Sequence, residues 1–437
     1  MAENKLNKSL TFVEAIAIVV GMIIGSGIFL KPGIIFYDAG SPIMGVLAWI
    51  TGGIITLASA LTIAELASVI PKTGGLYVYL EELYGEVWGF LLGWVQTVIS
   101  YPASAAALAI AFSTYSTLFI PMSDFQQKLL AIGILLFVTI MNIMATKFGG
   151  VIQTLSTVGK LVPIFAIMIF GLINGEVHDF RSTTVIAEGA GFGAALLGTL
   201  WAYDGWISVT NIAGELKNPA KEMPRAIIIG VIAVIIVYAL INIAMLNVLP
   251  VEDIVISETP ASDVATRLFG NRGASFITAG IIVSVFGALN GYLLTGARVP
   301  LAMGYRNQLP YSSYIGKVHE KFGTPVNALI LECVIAIVYI FSGTFNTLTN
   351  LLVFVLWIFF VMGVFGIFLL RRKDKLIDKN TYRVPLYPFT PIVAILGGSY
   401  ILISTILSSP LRSIIGIFIT LMGLPVFYYL RRKYSRG

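Results

Sequence analysis

The fold class this sequence predicts is an all-α membrane protein of twelve transmembrane helices, with the first and sixth broken at mid-length. Three observations predict it. The 437-residue chain is 57% hydrophobic and only 11% charged, with a mean hydropathy of +0.90, more apolar surface than a water-soluble domain of this size tolerates. Its apolar residues gather into runs long enough to cross a hydrocarbon core, which takes about 20 residues for roughly 30 Å. Two of the runs are interrupted by glycine, at Gly25-Ser26-Gly27 within GMIIGSGIFL and at Tyr203-Asp204-Gly205 within LWAYDGWISV.

Taken in order, the runs cover 11–36, 42–69, 87–118, 129–144, 149–173, 191–214, 225–249, 274–301, 325–341, 348–370, 391–407 and 414–430. Both breaks fall in the first run of a set of five. An odd number of spans makes the second set start from the opposite face, so the chain reads as a 5+5 inverted repeat. The first repeat occupies 1–173, the second 191–371, and two additional helices lie in 388–431, all within one domain.

Twelve spans put both termini on one side. Most of the 28 Lys and Arg residues fall in the links on that side, which the positive-inside rule makes cytoplasmic. The opposite side receives Lys31, Lys128, Arg181, Arg267, Arg272 and Arg412. This asymmetry accounts for the net charge of +6 without nucleic acid as a partner. Residues 1–10 lack the apolar core of a secretory signal, so the first span itself is expected to start insertion. The single cysteine, Cys333, lies in the ninth run and excludes an internal disulfide.

A helix unwound inside a bilayer leaves backbone N–H and C=O groups without partners, and hydrocarbon penalises each by several kcal/mol. A cavity holding a polar substrate satisfies them. The half-helix that begins near Ile28 presents free amides and a positive dipole end to the midplane, so the backbone of Ser26, Gly27 and Ile28 suits a carboxylate, with the Ser26 hydroxyl as a further donor. Gly25 and Gly27 let a ligand approach the main chain closely. Unwound carbonyls of Ile23, Trp201, Ala202 and Asp204 suit an ammonium group. Carboxylate plus ammonium describes an α-amino acid zwitterion.

Lys160 is the one basic residue that fits neither a loop nor a span end, and inside a span it costs at least ~2.5 kcal/mol unless it finds oxygen partners. Freed carbonyls near Gly21 to Ile24 are the expected partners. The ammonium would then stand where a sodium ion could otherwise sit. Asp204 is suited to N-cap the second half of the sixth helix. Trp201 is bulky enough to close the pocket from outside and to limit side-chain size. Met22, Gln96, Ser100, Tyr101 and Tyr203 offer wall surface without fixed charge, which favours small neutral amino acids, and Pro102 is expected to kink the third span against the site. Glu65 and Glu215 read as cytoplasmic gate or cap carboxylates; Glu14 and Glu332 receive no role. The stretch 305–310 is expected to carry a short surface helix.

At 21–33 (GMIIGSGIFLKPG), 70–94 (IPKTGGLYVYLEELYGEVWGFLLGW), Gly159-Lys160, 200–206 (LWAYDGW) and 384–392 (VPLYPFTPI), the chain resembles the amino acid-polyamine-organocation superfamily. Within it, the chain is similar to the L-type amino acid transporter branch, near bacterial serine/threonine and alanine-serine-cysteine exchangers. The resemblance implies a LeuT-type fold and sodium-independent exchange of amino acids. It also implies substrate contacts at Ile23, Ser26, Gly27, Trp201, Ala202 and Asp204, with Lys160 as the lysine that steadies the first break. Eukaryotic members of this branch join a heavy subunit through an extracellular cysteine, and the loop 119–124 has none, so a stand-alone chain in a bacterial cell membrane is expected.

No metal or cofactor is expected. Proton-coupled symport through Lys160 or Asp204, and a non-transporting amino acid receptor, are the alternatives. An enzyme is disfavoured because His178 and His319 sit in loops, HExxH is missing and Cys333 lacks a base.

Overall fold

The computed structural model describes residues 12–70, 75–144, 148–178, 191–207, 219–372 and 381–434. Among them every regular element is a helix, as expected where backbone groups must be paired within their own segment. The first span is in pieces: α1 (Phe12–Ile23), α2 (Gly27–Leu30) and α3 (Pro32–Ala39). Then come α4 (Pro42–Val69), the short α5 (Leu76–Tyr84), and α6 (Glu86–Val95) joined by a π-helical turn, Gln96–Ser100, to α7 (Tyr101–Ser116). Next are α8 (Asp124–Met144), α9 (Phe148–Asn174), α10 (Phe192–Ala202) and α11 (Pro219–Val248). The chain continues through α12 (Val251–Ile256), α13 (Pro260–Gly296), α14 (Arg298–Tyr305) and α15 (Ser312–Ile315). It ends with α16 (Val326–Ser342), α17 (Phe345–Arg372), α18 (Phe389–Ser408), α19 (Pro410–Leu421) and α20 (Gly423–Tyr434).

Eight helical segments of the described residues are long and apolar enough to cross a membrane, and α10, α16 and the later part of α9 are shorter apolar helices. The twelve runs read from the sequence all have helical counterparts, but the first is fragmented and the second half of the sixth lies outside the described residues. The protein is a multi-pass membrane protein. Its spans divide by burial: the apolar window of α4 is 67% buried, whereas those of α8 and α18 are only 28% buried and turn Phe137, Ile140, Leu396 and Ile403 outward to lipid.

Helix packing follows a two-fold pattern. The first span packs through α1 on α11, and the sixth, α10, packs on α4; α9 lies along α13, and α17 along α7. The pairs α11 with α9 and α4 with α17 correspond in the same way. Small residues let the backbones of this core approach. A Cβ on Gly52 would come within 2.1 Å of the Thr199 hydroxyl of α10, and one on Gly53 within 2.3 Å of Ile235 on α11.

Pro102 enters differently from the kink expected of it. It sits in the first turn of α7, and the backbone N–H of Tyr101 reaches back to Gln96 O, closing a π-helical turn just before the proline. Proline cannot donate to the turn before it, so the irregularity is taken up on its N-terminal side. In the stretch 305–310, Tyr305 ends α14 and the rest is turn and irregular structure leading toward α15. There Tyr77 donates to Gln308 Oε1 at 2.8 Å and receives Arg306 Nη1 at 3.1 Å. Burial pushes the Tyr77 phenol above the usual tyrosine value, which keeps it a neutral donor.

Glu65 is fully buried at the end of α4. Its carboxylate receives Arg371 Nε at 2.9 Å, Arg371 Nη2 at 2.8 Å and the backbone N–H of Val384 at 2.6 Å, so it ties α4, α17 and the segment before α18 together. Removing one partner of such a pair strands the other charge, at a cost of about 3 kcal/mol or more. Glu65→Ala is therefore expected to lower the melting temperature in detergent by several degrees. An unchanged melting curve would contradict this role for the pair.

Candidate functional site

The first break is built where α1 ends at Ile23 and α2 begins at Gly27, leaving Ile24, Gly25 and Ser26 outside regular helix. Lys31 between α2 and α3 keeps right-handed helical dihedrals, and its N–H bonds Gly27 O at 2.9 Å, so the two helices form one nearly continuous half-helix. Its leading amides, from Ser26, Gly27 and Ile28, have no intrahelical acceptor. Ser26 is buried and its hydroxyl makes no capping bond. A Cβ at Gly25 would meet nothing closer than Ile23 O at 3.8 Å. Gly27 is the opposite case: a Cβ there would lie 2.7 Å from Ala202 Cα and 3.2 Å from Trp201 Cε3. The two broken spans touch at this glycine.

The sixth break begins where α10 ends. Tyr203 N–H bonds Thr199 O at 2.9 Å and Asp204 N–H bonds Trp201 O at 3.1 Å, a closing turn. Gly205 then takes φ +105°, which side chains disfavour. Glu215, Lys217 and the helix that Asp204 was expected to cap lie outside the described residues, as do the side chains of Glu14 and Met22. The Asp204 carboxylate accepts from the Tyr292 hydroxyl of α13 at 2.9 Å and from the backbone N–H of Gly205.

Three side chains from three other spans take the freed carbonyls of the first span. Lys160 on α9, 7% exposed, donates to Gly21 O at 2.6 Å. Tyr238 on α11 places its hydroxyl 3.1 Å from Ile23 O and 2.9 Å from Ala202 O, bridging both breaks with one oxygen. Tyr115 on α7 donates to Phe29 O at 2.9 Å. A phenol has a single proton, so one of the two carbonyls facing Tyr238 always keeps capacity for another donor. Neither tyrosine was singled out in the sequence, where each looks like an aromatic in an apolar run.

Above the break, Trp201 packs edge-to-face on Phe345 of α17, with ring centroids 5.0 Å apart. Its indole N–H is buried without a partner among the described residues. Tyr203 does not line this space: its hydroxyl donates to Trp49 O at 3.0 Å, and its ring packs on Tyr238. Tyr101 stacks edge-on with Tyr292, beside the Asp204 contact. Gln96 and Ser100 are the two ends of the π-helical turn.

The placement of Lys31 in an outer loop is corrected. Lys31 is fully buried, with Nζ 2.6 Å from Thr349 Oγ1, 3.1 Å from Asn346 Oδ1 and 3.3 Å from Asn350 Oδ1. The sequence count set it with the basic residues of the opposite side, whereas it lies within a half-helix that continues to Ala39. Glu332 of α16 is 2% exposed, and both carboxylate oxygens lack partners among the described residues. They lie so close to Gly296 of α13 that a Cβ there would come within 2.4 Å. Cys333 is buried, and His178 stands near Asn247 in a loop, 3.4 Å away.

Comparison with known proteins gives the family. The profile of the family described as amino acid permease matches residues 10–426. The chain is 43% identical to the serine/threonine exchanger SteT of Bacillus subtilis (strain 168), covering 99% of this chain and 98% of that protein. It is 32% identical to the b(0,+)-type amino acid transporter 1 of Mus musculus, over 99% of this chain and 90% of the other. To the Asc-type amino acid transporter 1 of Mus musculus it is 29% identical, over 97% and 81%. With two adjoining helix breaks in a membrane-embedded helical core, the chain belongs to the amino acid permease family, whose members are transporters and not enzymes.

Proposed function

We propose that the protein is a sodium-independent exchanger of small neutral L-amino acids, such as alanine, serine, threonine and cysteine, working by alternating access. The single observation that carries this reading is the contact between the two breaks at Gly27 and Ala202. In this reading the amides of Ser26, Gly27 and Ile28 are the donor end and the carbonyls of Ile23 and Ala202 the acceptor end for one zwitterion. Substrate binding then draws the two half-helices together, and the loaded carrier reorients faster than the empty one.

Lys160 supports sodium independence: its ammonium already occupies the acceptor Gly21 O, which a bound cation would otherwise use. Trp201 and Phe345 roof the site and favour small side chains. The names of the relatives, a serine/threonine exchanger and an Asc-type transporter, point the same way. The matching packing of the two sets of spans supports a 5+5 inverted repeat over 1–173 and 191–371, with twelve spans in all and the last two, in 388–431, outside the repeat. The basic last turns of α17 and α20 support cytoplasmic termini in a bacterial cell membrane. Resemblance to SteT and the cysteine-free loop 119–124 support a chain that works without a heavy subunit. One observation favours a second reading, proton-coupled symport: the buried, unpartnered carboxyl of Glu332.

Proteoliposomes separate the two readings. Labelled serine or alanine is expected to enter only when unlabelled amino acid is inside, equally in sodium and in choline, and without accumulation driven by an inward proton gradient. Equal uptake into empty vesicles would overturn exchange. Lys160→Ala strands the Gly21 carbonyl and is expected to lower exchange by about tenfold to a hundredfold. Tyr238→Phe removes the hydroxyl shared by the breaks and is expected to cost about tenfold in exchange efficiency while the protein stays monodisperse. Wild-type rates in either variant would show that these groups do not steady the site.

A further inference from the structure

We propose that Lys31 is a positioning residue of the transport cycle, the latch that holds the outer end of α17 over the substrate space. The proposal rests on the exchanger reading for its place in the cycle, though not for its geometry. The three oxygens around Nζ belong to Asn346, Thr349 and Asn350, which share one face of the first turns of α17. An ammonium has three protons, and these acceptors account for all of them. The Thr349 hydroxyl is turned for the task, since its own proton is directed at Phe345 O, 2.9 Å away, or Asn346 O, 3.1 Å away. That leaves a lone pair facing the lysine.

The cation also gathers the roof. Nζ lies 5.2 Å from the Phe345 ring centre and 5.9 Å from that of Trp201, the two rings that pack on each other above the breaks. One charge thus joins three elements: the half-helix of the first span, the end of α10, and α17. It is tied to the site through the backbone, because the N–H of Lys31 donates a hydrogen bond to the carbonyl of Gly27 at 2.9 Å. Asp38, farther along α3, supplies opposite charge on the same half-helix, while the three direct acceptors are neutral. Charge-assisted bonds to neutral oxygens can be exchanged for water as a vestibule opens, without separating an ion pair.

A purely structural role does not explain a lysine here. A buried charge is weak evidence for stability, and an apolar side chain of similar volume would hold two helices together as well. The opposite end of α17 is fixed to α4 through Arg371 and Glu65. Since the outer tie is to a broken span and the inner one to an unbroken span, outward opening releases Lys31 and leaves Glu65 in place.

Thiol labelling reads this latch directly. With Cys333→Ala removing the single cysteine, Gly25→Cys places a reporter where a side chain has room, and a membrane-impermeant cationic thiol reagent is applied to right-side-out vesicles. Adding Lys31→Gln is expected to speed labelling by about tenfold, with Thr349→Val intermediate and Lys31→Arg close to the parent. Labelling of folded Lys31→Gln within about twofold of the parent would overturn the latch. If Lys31→Gln does not fold, Thr349→Val alone decides, with faster labelling supporting the latch and an unchanged rate overturning it. Exchange by the unsubstituted chain, measured in parallel, is a separate readout. Faster labelling of Lys31→Gln without any parental exchange would keep the latch and remove the exchanger reading.

Discussion

Everything in this fold depends on one constraint: a backbone unwound in an apolar medium has to find its hydrogen-bond partners elsewhere. Three other spans supply them to the first span. Lys160 on α9 takes Gly21 O, Tyr238 on α11 takes Ile23 O, and Tyr115 on α7 takes Phe29 O. Each is buried, so water does not compete. The broken span is held in its irregular shape by fixed side chains, and the polar groups left over at its tip are the ones proposed to bind substrate.

Tyr238 links the two breaks more closely than backbone contact alone does. Its hydroxyl lies within hydrogen-bond distance of a carbonyl from each broken span, so a displacement of one changes the bond to the other. The carbonyls proposed to take an amino acid's ammonium are the same ones. Substrate and tyrosine therefore act on a shared pair of acceptors, and binding is coupled to the relative position of the spans through one proton. At its two ends α17 is tied by different chemistry: neutral oxygens around Lys31 at the Phe345 end, and the carboxylate of Glu65, held bidentately by Arg371, at the other.

Much of this was legible from residue pattern. The glycine breaks stood out against long apolar runs, and Lys160 stood out as a charge with no loop to occupy. The expected target of Lys160, a carbonyl near Gly21, is where its ammonium lies. Tyr238 and Tyr115 were not legible, because a hydroxyl aimed at a carbonyl of another span leaves no trace in local periodicity. Lys31 was counted with the basic residues of the opposite side, and its burial was not legible because its three acceptors stand on α17, far away in the chain. Tyr203 was assigned to the pocket by adjacency, but its hydroxyl turns to Trp49 O. The π-helical turn before Pro102 likewise has no sequence signature beyond the proline that follows it.

The most direct test of the account is a structure of the protein with a bound small amino acid such as serine. The account predicts its carboxylate at the amides of Ser26, Gly27 and Ile28, and its ammonium against the carbonyls of Ile23 and Ala202, beneath Trp201. A substrate found elsewhere, or either of these stretches rewound into continuous helix around it, would contradict the account.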